Sequence, residues 1–300
     1  MTKEEAIKQF ALHRPEARSV YGYGSGVFKQ ASSSGKSLTD VIFLVDDIKE
    51  WHKENMQTNP NDYSIIGRVY LSKCSVEKVK GVNSITYFSE ISDGEYTFKY
   101  GVIEVVDFIN GLDTWNNMFM AGRFHKPVME LKSEDEVRES ISYYRQCALM
   151  IACLFCDKIS NAQDIYVKLC GLSYLGDARM AIAENPRKVE NIVEGSFDKL
   201  QEIYPLNEPF LNKVGEDTYL IDHNMILRSI ADLPEGLLTY LDEMNTDYKD
   251  LDMVRINIYE YITNKNRVES RAQILQGLLT NGVVRSIPYA LAKVKKRFSR

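Results

Sequence analysis

The sequence predicts an α+β protein: a first part of mixed strands and helices, then a mostly helical remainder. Three observations support this. Val41–Val45 is an unbroken run of β-branched, aromatic and aliphatic residues, the pattern of a strand buried on both faces. Between Tyr63 and Phe108, short strand-like runs are interrupted by Gly81, Gly94 and Gly101. Beyond Pro127 the pattern turns helical, with only scattered Gly and Pro breaks.

Taken in order, Lys3 to His13 has helical spacing in Ile7, Phe10 and Ala11, and the glycine cluster of Tyr21 to Gly26 follows as a loop. The strand Val41–Val45 ends in Asp46-Asp47, from which a helix is expected over Ile48 to Met56, since acids are favoured at a helix N-terminus. Strands are expected at Ile65–Leu71, Ile85–Ser89, Tyr96–Tyr100 and Val102–Val106. Ser133 and Glu136 have capping-box spacing in front of a helix reaching about Asp157. The expected domains are 1–128, 129–284 and a basic tail, 285–300.

With 44% hydrophobic and 26% charged residues the chain should fold into a globular core without disordered tracts. A net charge of -5 argues against a nucleic-acid binder, which needs a basic excess. The five cysteines, mostly in apolar surroundings, and an N-terminus without an apolar stretch point to a reducing cytoplasm. The longest apolar run, Cys147–Cys156, is half the roughly 20 residues a membrane span needs. Cys153-x-x-Cys156 lies inside it with neither a second such pair nor a nearby His, so it reads as core.

Chemistry is concentrated around Gly24-Ser25 and Asp40. A glycine lets the backbone approach a triphosphate, and a serine can donate to phosphate oxygens. An aspartate entering a strand can hold Mg²⁺, a hard ion that prefers carboxylate and phosphate oxygens. Together they follow the logic of polymerase-β-type nucleotidyltransferases, in which metal stabilises the departing pyrophosphate. That pattern has a second acid two residues on, where this chain has Ile42.

The blocks Tyr23-Gly24-Ser25-Gly26-Val27-Phe28-x-Gln30, Asp40-x-Ile42-Phe43-x-Val45-Asp46-Asp47, Trp51-His52-x-x-Asn55 and Asn59-x-x-x-Tyr63-Ser64 resemble the mitochondrial-type phosphatidate cytidylyltransferases. Lys99-Tyr100-Gly101-Val102-Ile103, Asp107, Trp115, Ala121-Gly122-Arg123-x-x-Lys126-Pro127 and Leu172-Ser173-Tyr174-x-Gly176-Asp177-x-Arg179-Met180 are similar to later blocks of that family. The resemblance implies a nucleotidyltransferase domain, a winged-helix-like helical domain and a peripheral C-terminal membrane element. It also implies Mg²⁺-dependent transfer from CTP to phosphatidic acid. Without an Arg- and Ser-rich, acid-poor presequence, a bacterial cytoplasmic protein peripheral on the inner membrane face is expected; for a mitochondrial one, the matrix face.

The acceptor is a phosphate monoester, already anionic with a second pKa of about 6, so no general base is needed. The site must instead neutralise and align two anions. Gly24, Ser25 and Gly26 are assigned to the triphosphate, and Asp40 to the metal. Asp46 or Asp47 is a candidate second carboxylate, although six strand residues would put Asp46 roughly 20 Å from Asp40; Glu104 and Asp107 are alternatives. Lys99, with Asp40 and Ser25, is assigned to catalysis. Lys99, Arg123, Lys126, His52 and Asn55 are assigned to the nucleotide, and Arg179 and Lys188 to the phosphatidate, with Asp177 as a helix cap or ion-pair partner of Arg179. In the tail, Ile287, Leu291, Val294 and Phe298 have helical spacing among Lys293, Lys295, Lys296 and Arg297, the layout of a helix lying on an anionic membrane. Two other readings stay open: a different acceptor, or a nucleotide-binding scaffold without catalysis, the latter because of Ile42.

Overall fold

Ser19–Tyr23 (β1), Thr39–Val45 (β2), Ile85–Asp93 (β3), Tyr96–Glu104 (β4) and Val128–Lys132 (β5) form one mixed sheet in the order β3-β4-β2-β1-β5. The structure, a computed structural model, describes residues 2–24, 26–28, 38–73, 85–93, 95–182 and 185–281. The central strand β2 is parallel to β4 and antiparallel to β1. Its unbroken apolar run follows from this position, because both faces are covered. Val41, Phe43 and Val45 pack with Ile7 and Phe10 of Lys3–Leu12 (α1) and Trp51 of Ile48–Thr58 (α2). Ile42 and Leu44 point the other way, into a larger core with Ile103 and Phe108. Burial of such side chains is worth roughly 1.5–3 kcal/mol each, so a one-residue slip exchanging the faces is strongly disfavoured. That register fixes the face on which Asp40 stands.

Local choices follow from caps and turns. Thr2 and Glu5 form a reciprocal capping box on α1. Ile65–Lys73 (α3) is a helix, correcting the strand expected there: Ser64 Oγ accepts from Gly67 N at 2.9 Å, and this cap decides an apolar run too short for periodicity to resolve. The strands expected at 96–100 and 102–106 are a single strand, β4, which passes through Gly101 and stops at Glu104. Val105–Thr114 (α4) begins there. β1 is a further departure, occupying the start of what reads as a glycine loop. The capping box expected at Ser133 does not form, since that hydroxyl is hydrogen-bonded to Tyr21 OH.

The remaining helices are Met118–Ala121 (α5), Asp135–Leu154 (α6), Ala162–Gly171 (α7), Ala178–Ile182 (α8), Lys188–Ile203 (α9), His223–Arg228 (α10), Glu235–Glu243 (α11) and Leu251–Asn281 (α12). A small antiparallel sheet, Ile159–Asn161 (β6), Leu211–Lys213 (β7) and Thr218–Ile221 (β8), has the order β6-β8-β7. One apolar cluster joins the large sheet to these helices, running from Tyr21 and Ile42 through Leu154 to Ile262. The expected 128/129 boundary meets the first residue of edge strand β5. Cys147, Cys153, Cys156 and Cys170 are buried free thiols, and burial pushes Cys156 up to about 11. Cys153-x-x-Cys156 is thus core, as the sequence suggests. Among the described residues no helix is long and apolar enough to cross a membrane. The tail 285–300 lies outside the described residues.

Candidate active site

Strand alternation and register build one row of functional side chains across the sheet. Asp40 of β2 pairs in register with Lys99 of β4 and with Tyr23 of β1. All three therefore share the face that, further along, carries Ile42 and Leu44. Lys99 Nζ is 4.0 Å from Asp40 Oδ1, and both side chains are about one-fifth exposed. This is an accessible acid–base pair at the mouth of the core.

Gly24 turns the chain directly over this pair. Its φ of +76° is in the left-handed region, and a Cβ there would stand 3.1 Å from Asp40 Oδ2. Its carbonyl accepts from Val27 N and Phe28 N at 3.0 Å, closing the turn. Gly26 lies so close to the entry of β2 that a Cβ would meet Leu38 O at 2.2 Å. Both glycines thus seat the turn against Asp40. Ser25 lies outside the described residues.

Further cations gather around Lys126. The Arg123 guanidinium is 5.5 Å from the Tyr23 ring centroid. Lys126, just ahead of β5, donates to Ser173 Oγ at 2.6 Å and stands 4.8 Å from the Tyr174 ring centroid. Burial, with Arg123, Lys188 and Arg179 nearby, lowers the Lys126 amine to about 7. The structure therefore gathers Arg123, Lys126, Arg179 and Lys188, which are distant in sequence, into one electrostatic neighbourhood. Arg179 is fixed by Asp177, which accepts from its Nε at 2.9 Å and from its backbone N–H at 2.9 Å. The preceding Gly176 packs on α12, where a Cβ would meet Thr263 O at 2.3 Å.

His52, Asn55, Asp46, Asp47, Glu104 and Asp107 are not brought to this place. His52 and Asn55 lie on the α2 face turned to the opposite side of the sheet, 1% and 0% exposed. His52 Nδ1 is 3.0 Å from Tyr63 OH, while Asn55 Nδ2 donates to Tyr63 OH at 2.7 Å and Tyr100 OH at 3.0 Å. Burial lowers His52 to about 3, keeping it neutral. The shared helical face is real, but it is a core face. Asp46 and Asp47 stand at the far end of β2, roughly 20 Å from Asp40 at about 3.3 Å per residue. There Asp46 pairs with Arg18 at 2.7 Å, and Asp47 caps α2 by accepting from Lys49 N and Glu50 N. Glu104 is at that end too, accepting from Ile48 N at 3.3 Å, with Asp107 one turn beyond it on α4.

Asp40 is thus the one carboxylate among the assigned metal ligands that faces the glycine turn. Among the described residues no group of three His, Cys, Asp or Glu could hold a metal. One carboxylate beside an open glycine turn fits an ion carried mainly by substrate phosphates, as Mg²⁺ commonly is. The sequence reading gave no role to Tyr23, Ser173 or Tyr174. Alternation with Tyr21 would have placed Tyr23 on this face; Ser173 and Tyr174 stand in a block that resembles the family, which marks the segment but not their contact with Lys126.

The family described as phosphatidate cytidylyltransferase, mitochondrial, matches residues 4–233. A protein of that name from Schizosaccharomyces pombe is 34% identical over 328 residues, covering 98% of this chain and 84% of the relative. Its Rattus norvegicus namesake is 29% identical over 329 residues, covering 97% and 94% respectively. The Saccharomyces cerevisiae one is 30% identical over 296 residues, covering 94% and 68%.

Proposed function

Given that this chain belongs to the family of mitochondrial phosphatidate cytidylyltransferases, we propose that CTP and phosphatidate meet in the cluster running from Lys99 and Asp40 to Arg179 and Lys188. There the chain makes CDP-diacylglycerol and pyrophosphate. The observation that carries this reading is the charge arrangement: Asp40 and Lys99 beside a close-approach glycine, and the cations Arg123, Arg179 and Lys188 gathered around Lys126, with Arg179 held by Asp177. Such a site suits two phosphate-bearing substrates that repel each other.

An oxygen of the phosphatidate monoester attacks the α-phosphorus of CTP, and the bond from that phosphorus to the bridging oxygen of the β-phosphate breaks. The attacking oxygen is already anionic, so no side chain need remove a proton. Gly24 and Gly26 hold the turn whose Ser25 is assigned to the triphosphate. Lys99, held near Asp40, offsets charge on the nucleotide. Mg²⁺, bound by Asp40 with the triphosphate oxygens, would neutralise the leaving pyrophosphate. Arg123 and Lys126, assigned to the nucleotide, meet Arg179 and Lys188, assigned to the phosphatidate, so that together they draw the two phosphates into line.

Asp40 on the central strand of a mixed sheet supports a nucleotidyltransferase-like reading of the first half. The small antiparallel sheet among helices supports a winged-helix-like reading of the second. The basic segment 285–300 would bring the enzyme to anionic lipid, with the chain peripheral to the membrane. CTP labelled at its α-phosphate, incubated with phosphatidic acid micelles and Mg²⁺, tests the reading. Label should pass into CDP-diacylglycerol and fall at least about 100-fold in Asp40→Asn, the scale of losing a principal charge-stabilising group. An Asp40→Asn protein of undiminished activity would remove Asp40 from the site, and no label in lipid would overturn the proposed acceptor.

A further inference from the structure

Lys126 and Ser173 are 47 residues apart in sequence, yet their side chains meet at 2.6 Å. The meeting is built into both backbones. Gly122, in the turn leading to Lys126, lies against the 3-10 turn Leu172–Tyr174, and a Cβ on it would stand 2.5 Å from Ser173 Cβ. A side chain there would push the two turns apart. The Ser173 hydroxyl is also oriented: it donates to Cys170 O at 3.4 Å, so its lone pairs are left for the amine. Tyr174 offers its ring to the same nitrogen.

The other groups facing the amine come from several elements. Arg123 is on its own loop, Arg179 on α8 and Lys188 on α9, all cations, and the Cys170 thiol belongs to α7. Burial and these three charges disfavour the ammonium, whereas Cys170, a hydroxyl acceptor and an aromatic face favour it.

We propose that Ser173 is a positioning residue: its hydroxyl fixes the Lys126 ammonium in the phosphate site and favours its charged form. The helical half of the chain thereby sets the charge of a cation supplied by the sheet half. This rests on the reading of the cluster as the phosphate site. With the amine at about 7, a useful fraction is charged at neutral pH; on this proposal, loss of the hydroxyl, which accepts from the ammonium at 2.6 Å, lowers it further.

The test is the pH profile of kcat/KM for phosphatidate in the full chain. Activity that needs the ammonium falls as pH rises through the Lys126 pKa, so Ser173→Ala should move the basic limb to lower pH. The loss should be about tenfold at pH 8 and much smaller at pH 6, the scale of a hydrogen bond to a charged group. Ser173→Thr, which keeps the hydroxyl, should restore the wild-type profile, and Ser173→Cys should lie between. A loss equal at all pH values, or a wild-type profile in Ser173→Ala, overturns the proposal. Should Ser173→Ala fail to fold, a wild-type profile in Ser173→Cys overturns it instead. Lys126→Met separates the two levels of inference. If that variant is fully active, the phosphate-site reading fails together with the proposal; if it is inactive while the Ser173 variants are unshifted, only the role of Ser173 fails.

Discussion

Gly24→Ala places a methyl group where backbone and chemistry both object. At φ +76° a residue with a Cβ costs about 1–2 kcal/mol relative to glycine. The added carbon would stand 3.1 Å from Asp40 Oδ2, so the carboxylate must give by a few tenths of an ångström. A protein of this size should then lose about 2–4 °C in Tm for each kcal/mol, a modest effect that leaves it folded at 25 °C. Activity should suffer far more. On the proposed reading the methyl occupies the space above Asp40 through which a phosphate oxygen comes, and misplacing a reacting group by about 1 Å costs on the order of 100-fold. Transfer of label from CTP into CDP-lipid, measured beside a thermal melt, separates these effects. A variant with the lowered Tm but kcat/KM within about twofold of wild type would show that the turn merely closes the strand. Gly26→Ala is the contrasting case, because its Cβ would meet the backbone of Leu38 and Thr39, which cannot move aside as a side chain can. Its larger defect should be in stability.

Asn55→Leu removes the donor shared by the Tyr63 and Tyr100 hydroxyls, and should cost about 2–3 kcal/mol in urea unfolding. The kcat/KM of the folded variant should be unchanged; a specific rise in KM for CTP would return Asn55 to the site. Lys126 keeps its proton up to 10.5 when unfolded and only to about 7 when folded, so the unfolded state binds more protons between those values and wild-type stability rises with pH there. Lys126→Met should accordingly gain stability over wild type at or below pH 7, with the gain shrinking towards pH 10.5; denaturant midpoints that track in parallel across that range would contradict it. Deleting 287–300 should weaken co-sedimentation with anionic vesicles severalfold without changing the affinity for CTP, and unchanged sedimentation would exclude the tail as the membrane contact.

Those residues whose roles follow from strand alternation were legible in the sequence. The buried run Val41–Val45 reveals a central strand, and its period of two puts Asp40 on the face of Ile42. Pairing of that strand with β4, which sets Lys99 opposite Asp40, is a tertiary choice that no local pattern expresses. The same limit explains His52 and Asn55: spacing of three gives them a common helical face, but not whether that face looks at solvent or at Phe88 and Tyr100. Asp46 and Asp47 misled because acids after a strand serve equally as ion-pair partners and helix caps. Arg123 and Lys126 could be picked out by family resemblance, whereas their meeting with Arg179 and Lys188 depends on the Gly122–Ser173 contact across 51 residues.

The position of Ile42 explains why the site takes this form. Its side chain is 0% exposed, between Tyr21 on β1 and Gly101 on β4, with the large core directly behind it. A carboxylate there would have to be desolvated at a cost of several kcal/mol, and no cation stands among those in-register neighbours to repay it. Here the face that would present a second acid serves instead as the joint between the sheet and the helical half. Charge neutralisation then has to come from elsewhere, and the same joint supplies it by carrying the turn of Arg179 and the start of α9 up to Arg123 and Lys126. On the proposed reading, Ile42 leaves Asp40 as the one metal ligand assigned on this face and lets two parts of the chain share the proposed phosphate-binding surface. Catalytic competence should therefore depend on the packing of the helical half as strictly as on Asp40 itself.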